Sequence, residues 1–135
     1  KNVENAGFSH RIGFHAVDML EEATLPGEAD IWWMSQFLDC FAPQQIIGML
    51  ERIAKVMKPG ARLCVMELFW DAQKFEAASF SLNATSLYFT CMANGNSRFY
   101  SVEKFYRYLE AAGFEVEQRV DHLGVGHTLL ICKKI

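Results

Sequence analysis

Apolar positions along the chain follow two rhythms. Short runs of strand length, ADIWWM (29–34), ARLCVMELFW (61–70) and HTLLICKK (127–134), are separated by stretches in which apolar residues return every three or four positions. Ile46, Ile47, Leu50, Ile53, Ala54 and Met57 follow Pro43 at the spacing of one helix face, and Lys58, Pro59 and Gly60 end that helix. Val102, Phe105, Tyr106, Leu109 and Ala112 form a second stripe, with Ser101 as its cap and Gly113 as its stop. The mixed segment 71–92 predicts a helix of marginal amphipathicity, and Asn94-Gly95 marks a turn. FEVEQRV (114–120) alternates apolar and polar positions, and DHLGVG (121–126) turns the chain into its last strand. At the other end, Lys1 to Ala6 reads as the tail of a helix stopped by Gly7. RIGFHAV (11–17), alternating Ile12, Phe14 and Ala16, reads as a strand; it enters DMLEEATLPGEAD, a loop with one helical turn and a Pro-Gly breaker.

The run from Ile31 to Met34 lacks alternation, which predicts a strand buried on both faces, with Trp32 and Trp33 packing under helices on opposite sides. Strands thus alternate with helices until a strand pair closes the chain. This order predicts an α/β layered sheet, mostly parallel, with a C-terminal antiparallel pair. At 135 residues and 51% hydrophobic content, the chain holds one domain with a sizeable core.

Charge and cysteine usage narrow the function classes. A net charge of -3 provides no basic field for a phosphate backbone, so neither nucleic acid nor an anionic membrane is expected as a partner. No run approaches the eighteen or so apolar residues of a membrane span. Cys40, Cys64, Cys91 and Cys132 are scattered without metal-ligand spacing. Cys40, Cys64 and Cys132 lie in or beside apolar segments and read as buried, reduced thiols, which suits a cytoplasmic location. KNVENAGFSHR has no signal-peptide pattern, and the chain does not begin with Met, so a fragment or processed chain is expected.

In open α/β sheets, ligands collect beyond the carboxyl ends of the strands. That rule selects Asp18 and Met19, Ser35 to Asp39, and Glu67 to Asp71. Each has a structural alternative. Asp18 can stabilise the turn that follows it, Met19 can fill core, and Asp39 can favour the approaching helix N-terminus through its dipole. His15 falls on the expected strand, while His10, His122 and His127 sit at turns or edges without a partner carboxylate at hand in sequence. The GVG at Gly124 to Gly126 precedes a strand instead of a helix, which excludes a phosphate-cradling loop.

RIGFHAVDML, ADIWWMSQFLDCFAPQQIIGMLERIAKVMKPGARLCVMELFWD and FYSVEKFYRYLEAAGFEVE resemble, in order and spacing, the later part of the class I S-adenosylmethionine-dependent methyltransferases. The closest likeness is to the small-molecule O-methyltransferases of the caffeate and hydroxyindole type. The resemblance implies a partial Rossmann-like sheet and S-adenosylmethionine as cofactor. It places Asp18 and Met19 along the adenine, and Met34, Ser35 and Gln36 beside the methionine portion and the methyl donor. The segment from Phe75 to Met92 would line the pocket of a small hydroxylated, aromatic acceptor, with Trp70, Phe89 and Met92 as its contacts.

Two departures follow. The family's glycine-rich loop and its ribose-binding acidic residue precede the point where this chain begins, so weak or absent cofactor binding is expected of this polypeptide by itself. Leu38 stands where plant-type members carry a catalytic histidine, leaving Asp39 as the adjacent titratable group. The family's strand order, 3-2-1-4-5-7-6, also implies a bare edge at Ile31 to Met34. Self-association through that edge, or a shift of the 11–17 strand onto it, is expected. Members of the family dimerise, but through an N-terminal region. The remaining alternatives are a non-catalytic interaction module and part of another nucleotide-binding α/β enzyme.

Overall fold

A computed structural model describes residues 1–21, 25 and 27–135. Its elements are α1 (Asn2–Asn5), β1 (Ile31–Ser35), α2 (Pro43–Val56), β2 (Arg62–Glu67), α3 (Glu76–Met92), α4 (Val102–Ala111), β3 (Phe114–Leu123) and β4 (His127–Lys134). Two 3-10 turns, Leu38–Cys40 and Trp70–Ala72, follow β1 and β2. The strands form one mixed sheet in the order β1-β2-β4-β3. β1 runs parallel to β2, with Ile31 opposite Arg62 and Ser35 opposite Met66. β4 is antiparallel to both β2 and β3, and Glu67 lies opposite Thr128.

The helices begin and end where local chemistry directs. Pro43 occupies the first turn of α2, and the Gln45 side chain reaches back to accept from the Ala42 N–H at 2.9 Å. Before α4, Ser101 Oγ accepts from Lys104 N at 3.3 Å, while Asp71 accepts from Val102 N at 2.9 Å. Gly113 then takes φ +83°, a left-handed conformation that ends the helix without a Cβ penalty.

α2 and α4 cover one face of the sheet. Ile46, Leu50 and Ile53 meet Phe105 and Leu109 above Leu63, Val65, Leu130 and Cys132, all of them buried. Phe69 packs edge-on against Phe105 with ring centroids 5.2 Å apart. Strand alternation places Trp32, Met34 and Glu67 on this covered face, and Ile31, Trp33, Ser35 and Met66 on the other. α3 buries none of its residues fully, and Phe80 is 74% exposed.

Several expectations need correction. Residues 11–17 form no strand, and Phe14 is 78% exposed. An alternating seven-residue segment gains no ladder hydrogen bonds without a neighbour, and none of the described strands pairs with it. It therefore has not moved onto β1, and His15 lies outside any strand. β1 is not buried on both faces: Ile31 is 63% and Trp33 56% exposed, because β1 is an edge strand covered from one side only. Among the described residues, Trp33 accordingly packs under no helix. Cys40 is exposed at the 3-10 turn, whereas Cys64 and Cys132 are buried as expected. The loop reading over 18–30 falls partly on residues 22–24 and 26, outside the described residues.

Replacing Phe105 with Ala is expected to lower the unfolding free energy by about 3–5 kcal/mol, measured by urea denaturation. Phe80→Ala, on the outer surface of α3, is expected to change it by no more than about 0.5 kcal/mol.

Candidate functional site

The polar end of β1 is shaped by a carboxylate from its neighbour. Glu67, the last residue of β2, is 2% exposed, and its Oε1 accepts from Phe37 N at 3.0 Å and Leu38 N at 2.9 Å. These bonds draw the chain into the 3-10 turn and carry Leu38 into the core. Gln36 then takes φ +47°, a left-handed backbone that a residue with a side chain adopts only when its surroundings impose it. Burial, and then the nearby Asp39 charge, push the Glu67 carboxyl up to about 7 against the pull of the two N–H donors. Glu67 Oε2 is buried without a partner among the described residues. Burial also raises Asp39 above the usual carboxylate range.

A strap from 94 to 100 closes over this turn. Arg98 N donates to Asp39 O at 2.9 Å, and Tyr100 Oη donates to Phe41 O at 2.6 Å.

Beside β1 lies an open cavity of about 480 Å3, lined by His15, Met19, Trp32, Met34, Ser35 and Phe37 among others. Its size and its apolar walls with a few polar groups are those of a small-molecule site. The indole Nε1 of Trp32 is buried and makes no hydrogen bond among the described residues. A ligand with ring nitrogens or sugar oxygens would satisfy that donor, so the cavity fits a nucleoside-bearing cofactor.

Of the expected cofactor residues, Met19, Met34 and Ser35 meet in this cavity. Asp18 does not line it; its carboxylate accepts from Leu20 N at 2.8 Å, the turn-stabilising alternative. Arg52 of α2 donates to the backbone oxygens of Met19 and Glu21 and ties this loop to the core. Gln36 turns away from the cavity, and its Nε2 lies 2.7 Å from His127 Nε2 at the start of β4. Trp70, Phe89 and Met92 are spread along the second 3-10 turn and α3, and Met92 is 73% exposed. Among the described residues, no group of acidic, histidine and cysteine side chains is arranged to hold a metal ion.

The model of the O-methyltransferase domain matches residues 1–115. The chain belongs to the O-methyltransferase domain family. No curated protein matches it. Among solved structures, the mitomycin 7-O-methyltransferase MmcR superposes with a TM-score of 0.82 at 22% identity, over 99% of this chain and 37% of that one. The pyocyanin biosynthetic protein PhzM gives 0.80 at 22%, over 99% and 38%. An O-methyltransferase from Planctomyces limnophilus, solved in complex with apigenin, gives 0.78 at 20%, over 98% and 38%. The chain thus spans about two fifths of the length of these relatives, and its α/β sheet is that of the methyltransferase fold.

The 3-10 turn after β1 carries an aliphatic side chain at position 38, fully buried. Glu67 was within reach of sequence reasoning only as one of several residues at a strand end. Its burial and its grip on residues 37 and 38 come from tertiary packing.

Glu67 also predicts a pH dependence. Its folded pKa of about 7 exceeds the ordinary 4.5, so the native state holds a proton that the unfolded chain has released between those values. Stability is therefore greatest below about pH 4.5 on this account and falls as pH rises through 7. Glu67→Gln keeps an oxygen for the Phe37 and Leu38 N–H groups and removes the titration. Relative to wild type, the variant is expected to gain about 2–3 kcal/mol between pH 5 and pH 8, read from urea midpoints at both values.

Proposed function

We propose that the intact protein is an S-adenosylmethionine-dependent O-methyltransferase acting on a small, hydroxylated, aromatic acceptor. The observation that supports this best is the cavity beside β1, where Met19, Met34 and Ser35 converge around the unpartnered Trp32 indole in a chain of this family. When bound, the cofactor supplies an electrophilic methyl group on a sulfonium. Met34 and Ser35 would face its methionine portion, and Met19 and Trp32 its nucleoside. Pairing of β1 with β2 would hold Met34 and Ser35 in fixed positions against the bound group. The acceptor would enter from the side of Trp70, Phe89 and Met92. A phenolic acceptor accords with the apigenin held by the Planctomyces relative.

We further propose that the 135-residue chain by itself binds the cofactor weakly and pairs with a second copy through β1. Asp30 and Lys58 form an exposed ion pair, 2.5 Å apart, beside the start of this edge. The five residues from Ile31 to Ser35 carry no further charge, and their outer edge has no strand neighbour among the described residues.

Calorimetry with S-adenosylmethionine on the intact gene product is expected to show binding, accompanied by a change in tryptophan emission. Trp32→Phe is expected to weaken that binding by roughly fivefold, the worth of one hydrogen bond. An intact protein that ignores the cofactor refutes the proposal. For the isolated chain, sedimentation is expected to give a mass above 15.4 kDa, restored to the monomer value by Trp33→Lys.

A further inference from the structure

The Asn94-Gly95 pair leads from the end of α3 into the strap, and methyl transfer makes no use of its chemistry. The Asn94 side chain is held at both ends. Its Oδ1 accepts from Asn96 N at 3.0 Å and from Ser97 N at 2.8 Å, and its Nδ2 donates to Ser97 Oγ at 2.8 Å. Both backbone partners can only donate, which fixes the amide oxygen toward them and the amide nitrogen toward Ser97. Two N–H groups at those distances polarise the Cγ carbonyl and stand where negative charge gathers when a nucleophile adds to it. The next nitrogen in the chain, that of Gly95, reaches Cγ by closing a succinimide ring. Gly95 has φ +77°, and the space where a Cβ would stand is open, so no side chain shields that nitrogen from water.

We infer that Asn94 is a self-modifying site, at which the folded strap promotes its own deamidation to aspartate and isoaspartate. The inference is independent of the methyltransferase reading. The Gly95 N–H gives its proton to water, and the nitrogen forms a bond to Asn94 Cγ. The electron pair displaced onto Oδ1 is held by the N–H groups of Asn96 and Ser97. When the C=O re-forms, the Cγ–Nδ2 bond breaks with its pair kept by nitrogen. Ser97 Oγ, whose own hydrogen otherwise makes a long contact of 3.4 Å to Cys40 O, turns it to that nitrogen and regains one from water, so ammonia leaves. Water then opens the ring at one of its two carbonyls. Opening at Cγ gives aspartate, and opening at the main-chain carbonyl gives isoaspartate, whose backbone is longer by one carbon. The net change is one water taken up and one ammonia released, with no change of oxidation state. Its effect falls on the strap. Either product replaces the amide donor with an acceptor-only carboxylate, and isoaspartate also carries that carboxylate away from the Asn96 and Ser97 N–H groups. Arg98 N, which donates to Asp39 O in the turn after β1, follows directly. Conversion to isoaspartate thus loosens the clasp over that turn.

The test follows the intact gene product and its Ser97→Ala variant at neutral pH, in buffer and in urea, by mass spectrometry of the tryptic peptide 75–98. Folded wild type is expected to gain aspartate and isoaspartate at position 94 about tenfold faster than the urea-unfolded chain, well within what two oxyanion donors supply. Ser97→Ala is expected to slow the folded reaction roughly tenfold, below the usual worth of a general acid because the site is exposed, and to leave the unfolded rate unchanged. Hydrogen exchange at Arg98 N is expected to quicken in the converted fraction. A folded rate equal to or below the unfolded one overturns the inference, and so does a folded rate that Ser97→Ala leaves unchanged. The wild-type comparison decides the matter even if Ser97→Ala fails to fold.

Discussion

A single buried carboxyl group organises the carboxyl end of this sheet. Glu67 terminates β2 inside the protein and takes two backbone N–H groups from the chain leaving β1. That grip turns the chain sharply, drives Leu38 into the core and leaves Gln36 in a left-handed conformation. Without it the exit from β1 has no fixed direction, and the polar residues after the strand have no common place to meet. Keeping a carboxyl group in so dry a site raises its proton affinity, a cost accepted where position matters more than stability.

Around that anchor the molecule divides into a well-packed half and an open half. α2 and α4 cover one face of the sheet, with Phe69, Phe105, Leu63 and Leu130 buried at the centre. The other face, the outer edge of β1 and the length of α3 keep large apolar side chains accessible. The open cavity lies where the two halves meet, walled by β1 on one side and by the loop carrying Met19 on the other.

The chemistry at the carboxyl end draws on groups distant in the chain. Met19, Met34 and Ser35 shape the cavity, while Gln36 and His127 stand together beyond it. The strand that delivers His127 is the one paired beside Glu67, so one carboxylate fixes the geometry of both partners.

Much of the architecture was written in local sequence. The stripes from Ile46 to Met57 and from Val102 to Ala112, the Pro43 and Ser101 starts and the Gly113 stop specify α2 and α4, because helix contacts lie within four residues and amphipathicity reports them directly. The apolar runs specify β1, β2 and β4 as strands for the same reason of period. What the chain could not announce was which strands have neighbours. Residues 11–17 alternate as a strand should and form none, and Ile31 to Met34 reads as interior and lies at an edge, because strand pairing and two-sided burial depend on partners remote in sequence. The placement of Met19 and Ser35 at the carboxyl end of the sheet was legible in the order of strands and loops, and that of Met34 in the family resemblance. The burial of Glu67 and the approach of Gln36 to His127 were not: no local pattern records a contact across 91 residues, and only the register of β1, β2 and β4 brings those groups together.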